Sequence, residues 1–336
     1  MMQQLLHYVR QALSAHYPAS EANALARLIL EKRFGVSLTD IYMGKDKQFS
    51  PEQRKDLEDI LQRLLRDEPI QYILGEADFC GETFAVTPAV LIPRPETAEL
   101  VAWIGETLPA APCRVLDVGT GSGCIAISLA KQHPEATVTA WDISEEALAV
   151  ARWNNESLGT SVTFLRRDAL AEGGEPPRKD GMNKGRTDDL SEEESPERFV
   201  PEETLVPSDT SGERCDEAKD LCPRIDRDDC DESGKYDVIV SNPPYVTCSE
   251  RREMEANVLD WEPGLALFVP DDDPLLFYRA IARLAHRLLK PGGRLFFEIN
   301  RAYGLATVEM LRAMNYQDVE LRKDLSGNDR MVSAKL

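Results

Sequence analysis

The stretch Val115-Leu-Asp-Val-Gly-Thr-Gly-Ser-Gly123 decides how this chain is read. Val115 to Val118 has the apolar character of a buried strand, and the residues after Gly123 have that of a helix. Gly119, Gly121 and Gly123 between them permit a tight turn and let a ligand approach the backbone closely. The spacing is G-x-G-x-G, and Cys124 stands where a dinucleotide fingerprint carries its third glycine, which weakens a nicotinamide reading. No Gly-Lys-Ser/Thr follows, so a nucleoside triphosphate loop is excluded at the level of the motif.

Outward from this turn the pattern alternates. Strands are predicted at 114–118, 137–141, 162–166, 236–241, 293–299, 317–322 and 330–335, and helices at 122–132, 144–157, 274–290 and 303–314. Alternation of this kind specifies an α/β fold with a doubly wound, mostly parallel sheet of seven strands. The last two strands have no helix between them, which predicts one antiparallel edge strand.

Upstream the character differs. Leu5, Leu6, Val9 and Leu13 form one helical stripe, Leu25, Leu28 and Ile29 another, and Leu57, Ile60, Leu61 and Leu64 a third, as expected of a small helical bundle. Ser50-Pro51-Glu52 reads as a helix start, with Ser capping and Pro in the first turn. Residues 71–95 carry short β-type runs broken by Gly75, Gly81 and Pro88, a hairpin or two short strands. Pro93 and Pro95 keep Leu91-Ile-Pro-Arg-Pro-Glu-Thr97 extended, and a helix is predicted from Glu96 to Leu108.

The chain has 336 residues, 42% of them hydrophobic and 7% aromatic, ordinary values for a globular protein with a sizeable core. No run of ~18 apolar residues predicts a membrane span. Nothing at the N-terminus reads as a signal peptide, and a cytoplasmic location is expected. Seven scattered cysteines suit reduced thiols, and Cys215, Cys222 and Cys230 lack the paired spacing of a zinc site. The formal charge of −20 is uneven: residues 171–235 hold about 21 acidic and about 10 basic side chains. This insertion, rich in Glu, Asp, Ser, Pro and Gly, is expected to be disordered, with an acidic partner-binding segment as the alternative.

Candidate ligand-binding residues lie at predicted strand ends. Asp142 falls ~20 residues beyond the glycines, where an acid can accept both hydroxyls of a ribose. Asp168 and Ala169 follow the third strand, beside the place an adenine ring takes in such folds. Asp117, Asp142 and Asp168 together with Gly119, Thr120, Gly121, Ser122 and Gly123 resemble the S-adenosyl-L-methionine site of Rossmann-type class I methyltransferases.

The fourth strand delivers Asn242-Pro243-Pro244-Tyr245 to the same edge. An amide or aromatic-amine nitrogen has a delocalised lone pair and attacks a methyl sulfonium poorly. The Asn242 side-chain carbonyl can accept one N–H of such an NH2 group, and a proline carbonyl, that of Pro243, the other. Pro244 has fixed φ and no N–H, and Tyr245 can lie against the planar group. The tetrapeptide therefore predicts methylation of an NH2 on a planar group, without saying which.

Several segments together carry a closer resemblance. Pro69–Gly75 (PIQYILG), Val90–Thr97 (VLIPRPET), the Asp117–Gly123 loop, Asp142, Asn242–Tyr245, Trp261–Leu267 (WEPGLAL) and Gly327–Val332 (GNDRMV) resemble the release-factor glutamine N5-methyltransferase family, the HemK/PrmC proteins. The resemblance covers nearly the whole chain outside the insertion. It implies methyl transfer from S-adenosyl-L-methionine to the glutamine of the Gly-Gly-Gln loop of peptide-chain release factors. The implied division is a helical substrate-recognition domain at 1–72, a hairpin and extended linker at 73–95, and a methyltransferase domain at 96–336 interrupted at 171–235.

Carried over, the glycine loop would hold the cofactor's methionine part, Asp142 its ribose and Asn242–Tyr245 the glutamine amide, with Asn242 also among the cofactor-binding residues and Arg94 and Glu96 bracing the pocket or forming a structural ion pair. Two departures are Ala169, where relatives often carry tryptophan, and Ala98, which replaces a frequent acid. The alternative is N-methylation of an exocyclic amino group of a nucleic-acid base, adenine N6 or guanine N2, because Asn-Pro-Pro-Tyr is shared with such enzymes. Lys and Arg are not clustered as a nucleic-acid face requires, so release factors are the expected partner and a monomer the expected state.

Overall fold

The computed structural model describes residues 2–37, 39, 40, 43, 48–174 and 235–336. Most of the acidic insertion and the cysteines Cys215, Cys222 and Cys230 lie outside the described residues.

Near the N-terminus, helices Met2–Leu13, Ala19–Leu28, Pro51–Leu64 and the short Ile70–Leu74 enclose their own core. Val9, Leu13, Ile29, Leu57, Ile60, Leu61 and Leu64 are buried there, so the helical stripes face inward as their spacing predicts. The second helix runs on into a π turn over Ile29–Arg33. Ser50 makes a full capping box: Gln53 N–H donates to its Oγ (3.2 Å) and Ser50 N–H to Gln53 Oε1 (3.1 Å).

A hairpin of β1 (Glu76–Phe79) and β2 (Glu82–Ala85) follows. The main sheet is formed by β3 (Cys113–Val118), β4 (Ala136–Asp142), β5 (Thr163–Arg166) and β6 (Tyr236–Ser241), then, past a short parallel pair of β7 (Val246–Thr247) and β8 (Phe268–Val269), by β9 (Leu289–Glu298), β10 (Gln317–Lys323) and β11 (Asp329–Lys335). Its order is β10-β11-β9-β6-β3-β4-β5.

Strand periodicity explains the layering. Leu116, Ile239, Leu295 and Phe297 pack with helix Leu276–Leu288, whereas Val115, Val238, Val240 and Phe296 pack with helices Pro95–Thr107 and Cys124–Gln132. Alternate residues thus face opposite helical layers, as a doubly wound sheet requires.

Two details differ from the sequence expectation. The antiparallel strand is not at the edge: β11 lies between β9 and β10 and runs antiparallel to both. Its residues 331–334 are all buried while β10 is mostly exposed, so the more apolar strand of the terminal hairpin takes the inner place. In addition, β9 starts at Leu289 rather than 293, because Leu289 already pairs with Tyr236 before an irregularity carries the register to Val238 with Arg294.

Candidate active site

Beside β3 lie β4, which continues the chain one way, and β6, which continues it the other; the order reverses here, and such a point is where open α/β sheets bind ligands. Val118 is paired with Ser241, and Ser241 Oγ donates to the Val118 carbonyl at 2.6 Å. The residues that follow, Gly119 and Asn242, therefore leave the sheet side by side.

The glycine turn is held from β4, since the N–H groups of Gly119 and Thr120 both donate to the Trp141 carbonyl (2.8 and 2.9 Å). Gly119, Gly121 and Gly123 have φ of +78°, +55° and +82°, which only glycine adopts at small cost. A Cβ on Gly119 or Gly121 would meet nothing within 4 Å, whereas on Gly123 it would lie 2.8 Å from Ile127 Cδ1. The first two glycines thus border open space, and the third lets helix Cys124–Gln132 pack.

Asp117 is fully buried beneath the turn. Its Oδ2 accepts the Thr120 hydroxyl at 2.6 Å, Oδ1 has no partner, and burial pushes the carboxyl up to about 7. A buried acid with an unused oxygen suits an incoming cation. Asp142 ends β4 and accepts Gly121 N–H on Oδ2 and Ser144 N–H on Oδ1, both at 2.9 Å, with burial again raising its pKa. Ser122 Oγ is buried without a partner, and the Ser122 carbonyl accepts from Asn154 Nδ2 at 2.9 Å. Asp168 lies past the end of β5 and caps helix Ala169–Glu172, its Oδ1 accepting Leu170 N–H at 2.9 Å and Ala171 N–H at 3.4 Å. Ala169 begins that helix and packs half-buried against the core.

The other side is built by Asn242–Tyr245, with Pro243 buried and the other three half-buried. Asn242 Nδ2 donates to Thr97 Oγ1 at 3.4 Å, and Thr97 Oγ1 donates to Glu298 Oε2 at 2.6 Å. Tyr245 donates its hydroxyl to Glu298 Oε1 at 3.2 Å, and its carbonyl accepts Asn300 Nδ2 at 3.1 Å. Thr97 and Glu298 are only 2% and 1% exposed. Burial raises the Glu298 carboxyl pKa, opposed by the Thr97 bond and the nearby Arg330 charge.

The extended segment before helix Pro95–Thr107 is anchored by an acid of the Trp261–Leu267 segment. Glu262 accepts Ile92 N–H at 3.3 Å and forms an ion pair with Arg94. Arg94 therefore pairs with Glu262 and not with Glu96, and the conformation of Leu91–Thr97 depends on the distant Trp261–Leu267 segment. Thr97 belongs to the Val90–Thr97 segment but has no role assigned by sequence, and the same holds of the roles of Glu298, Asn154 and Asn300. Glu298 carries the same signal as Asp117 and Asp142, an acid closing a strand.

Among the described residues no group of ligating side chains could hold a metal ion, and no helix is long and apolar enough to cross a membrane. The family model for the PrmC N-terminal domain matches residues 4–75, and that for a methyltransferase domain residues 115–180. A release factor glutamine methyltransferase of Bacteroides thetaiotaomicron is 48% identical over 333 residues, 99% of each chain. One of Flavobacterium psychrophilum is 38% identical, covering 96% of this chain and 94% of its own, and one of Enterococcus faecalis 32% identical, covering 99% and 98%. An N-terminal match, a methyltransferase match and end-to-end identity at this level agree with the site: the chain belongs to the release factor glutamine methyltransferase family.

Proposed function

We propose that this protein methylates the side-chain amide nitrogen, N5, of the glutamine in the Gly-Gly-Gln loop of peptide-chain release factors, with S-adenosyl-L-methionine as donor. The observation that carries the reading is the pairing of Val118 with Ser241, which places the glycine turn and the Asn242–Tyr245 segment next to one another at the sheet's ligand-binding edge.

The residues present fit the donor. Gly119 and Gly121 border open space, the unpartnered Oδ1 of Asp117 suits an ammonium group, and Asp142 stands where ribose hydroxyls are accepted. Thr120, Ser122 and Gly123 complete the turn, and Asp168 and Ala169 border the adenine side. When bound, S-adenosyl-L-methionine supplies a methyl group activated by its sulfonium.

The chain's own task is to position a poor nucleophile. Asn242 Oδ1 accepts one amide N–H of the substrate and the Pro243 carbonyl the other, which fixes the plane of the NH2 group. Pro244 offers no competing donor, and the Tyr245 ring bounds the planar group. Alignment of this kind accounts for most of the acceleration, and no strong base is required because the methylated nitrogen becomes acidic as it forms. The helical region at 1–72 is assigned to release-factor recognition. The protein is read as cytoplasmic, since termination of translation takes place there, and as a monomer by default.

Mass spectrometry of a release factor incubated with the protein and S-adenosyl-L-methionine tests the reading. One added methyl group, mapped to the loop glutamine, is expected; a methyl at any other residue, or none, contradicts it.

A further inference from the structure

The Asn242 side chain is useful only one way round. Turned outward, Oδ1 accepts from an NH2 group; turned outward, Nδ2 would set donor against donor. The amide has no intrinsic preference between these states, so something beneath it must choose.

Beneath it lies Thr97 Oγ1, 3.4 Å from Asn242 Nδ2, and beneath that Glu298 Oε2, 2.6 Å from the same hydroxyl. The second carboxylate oxygen is taken by the Tyr245 hydroxyl at 3.2 Å. An ionised carboxylate can only accept. Both hydroxyls must therefore donate to Glu298, and Thr97, its single proton spent, meets Asn242 as an acceptor. Asn242 must then turn Nδ2 inward and Oδ1 outward. Burial raises the Glu298 pKa, the Thr97 bond and the Arg330 charge act against it, and the relay belongs to the ionised, accept-only form.

We propose that Glu298 and Thr97 are positioning residues that set the polarity of the substrate clamp: Glu298 fixes the Thr97 proton, and Thr97 fixes which end of the Asn242 amide faces the substrate. Glu298 orients the Tyr245 ring by the same rule. Neither Thr97 nor Glu298 touches substrate. The relay spans three elements, the first turn of helix Pro95–Thr107, the end of β9 and the segment after β6. It explains why a threonine stands next to Pro95-Glu96, for at this point the chain needs a side chain that accepts and donates at once. The inference rests on the proposed role of Asn242 as an amide acceptor.

The test uses the full chain, a release factor and S-adenosyl-L-methionine, with kcat and KM for the release factor and Kd for the cofactor measured separately. Thr97→Val keeps shape and removes the hydroxyl; kcat is expected to fall about 10- to 100-fold with cofactor Kd unchanged, a loss typical of lost alignment. Thr97→Ser restores the hydroxyl and recovers most of the rate. Glu298→Leu removes the acceptor, which frees the Thr97 proton to turn toward Asn242, and lowers kcat with cofactor Kd again unchanged; it serves as the second variant if Thr97→Val fails to fold. A Thr97→Val or Glu298→Leu enzyme with undiminished kcat, or one that loses cofactor affinity in step with kcat, overturns the relay. Asn242→Ala separates the two levels. If it is inactive while Thr97→Val is unimpaired, the clamp stands and the relay falls; if it is active, the clamp itself is wrong.

Discussion

The two halves of the active edge are built on opposite principles. The glycine turn is a local device: its conformation is set by Gly119, Gly121 and Gly123, and its fixed points are the neighbouring β4 residues Trp141 and Asp142. The Asn242–Tyr245 segment is fixed from afar, by Thr97 at a separation of 145 residues and Glu298 at 53. A ligand held mainly by backbone requires a backbone of unusual shape, which glycine supplies. A substrate amide held by a side chain requires that side chain to be oriented, and orientation comes from packed neighbours.

If this contrast holds, damage on the two sides should differ in kind. The largest effect is expected from Asn242→Ala, a loss of about 10²–10³-fold in kcat, the scale seen when one acceptor or donor aimed at a reacting group is removed. Cofactor Kd by calorimetry should stay near the wild-type value, and a joint loss of both would erase the distinction between the halves.

On the turn side the expected effects appear in stability and cofactor affinity. The Asp117 carboxyl is raised by burial to about 7, so the folded state holds a proton that the unfolded chain has already released. Stability from this source is present below pH ~4 and lost as pH rises through about 7. Asp117→Asn lacks that titration. In the cofactor-free protein, the stability of the variant relative to wild type should therefore rise between pH 4 and pH 7.5 by about 2–4 kcal/mol, while its cofactor affinity falls. Denaturant unfolding across that range checks the slope; a pH-independent difference would show that Asp117 is not the buried acid described.

Gly123→Ala should cost about 1–3 kcal/mol, because alanine is strained at φ +82° and its Cβ would press on Ile127. The smallest effect belongs to neither half. Ser50→Ala removes the capping box of helix Pro51–Leu64 and should lower stability by about 1 kcal/mol, read from thermal unfolding.

This contrast also explains what the sequence could disclose. The glycine turn, the seven strands and the acids at their ends are short-range patterns, visible in windows of a few residues. Asn242-Pro-Pro-Tyr is equally local, so the chemistry of an NH2 clamp was readable from it. The partnership of Thr97 and Glu298 was not, because their hydrogen bond joins residues 201 positions apart, although Thr97 lies in the Val90–Thr97 segment and Glu298 is an acid closing a strand. The partnership of Arg94 with Glu262 lay hidden for the same reason, at 168 positions. The inner place of β11 follows from competition between two strands for burial, which alternation does not encode. The early start of β9 depends on pairing with Tyr236 across a register irregularity, through Pro291, Gly292 and Gly293, residue types that weaken a strand pattern.

The clamp is assigned to a protein glutamine. Its most direct test is a single reaction containing the protein, methyl-labelled S-adenosyl-L-methionine, a release factor, and DNA and ribosomal RNA as competing acceptors. Label is expected to enter the release factor alone and to disappear when its loop glutamine is changed to alanine. Label in either nucleic acid, or label that survives the glutamine change, would contradict it.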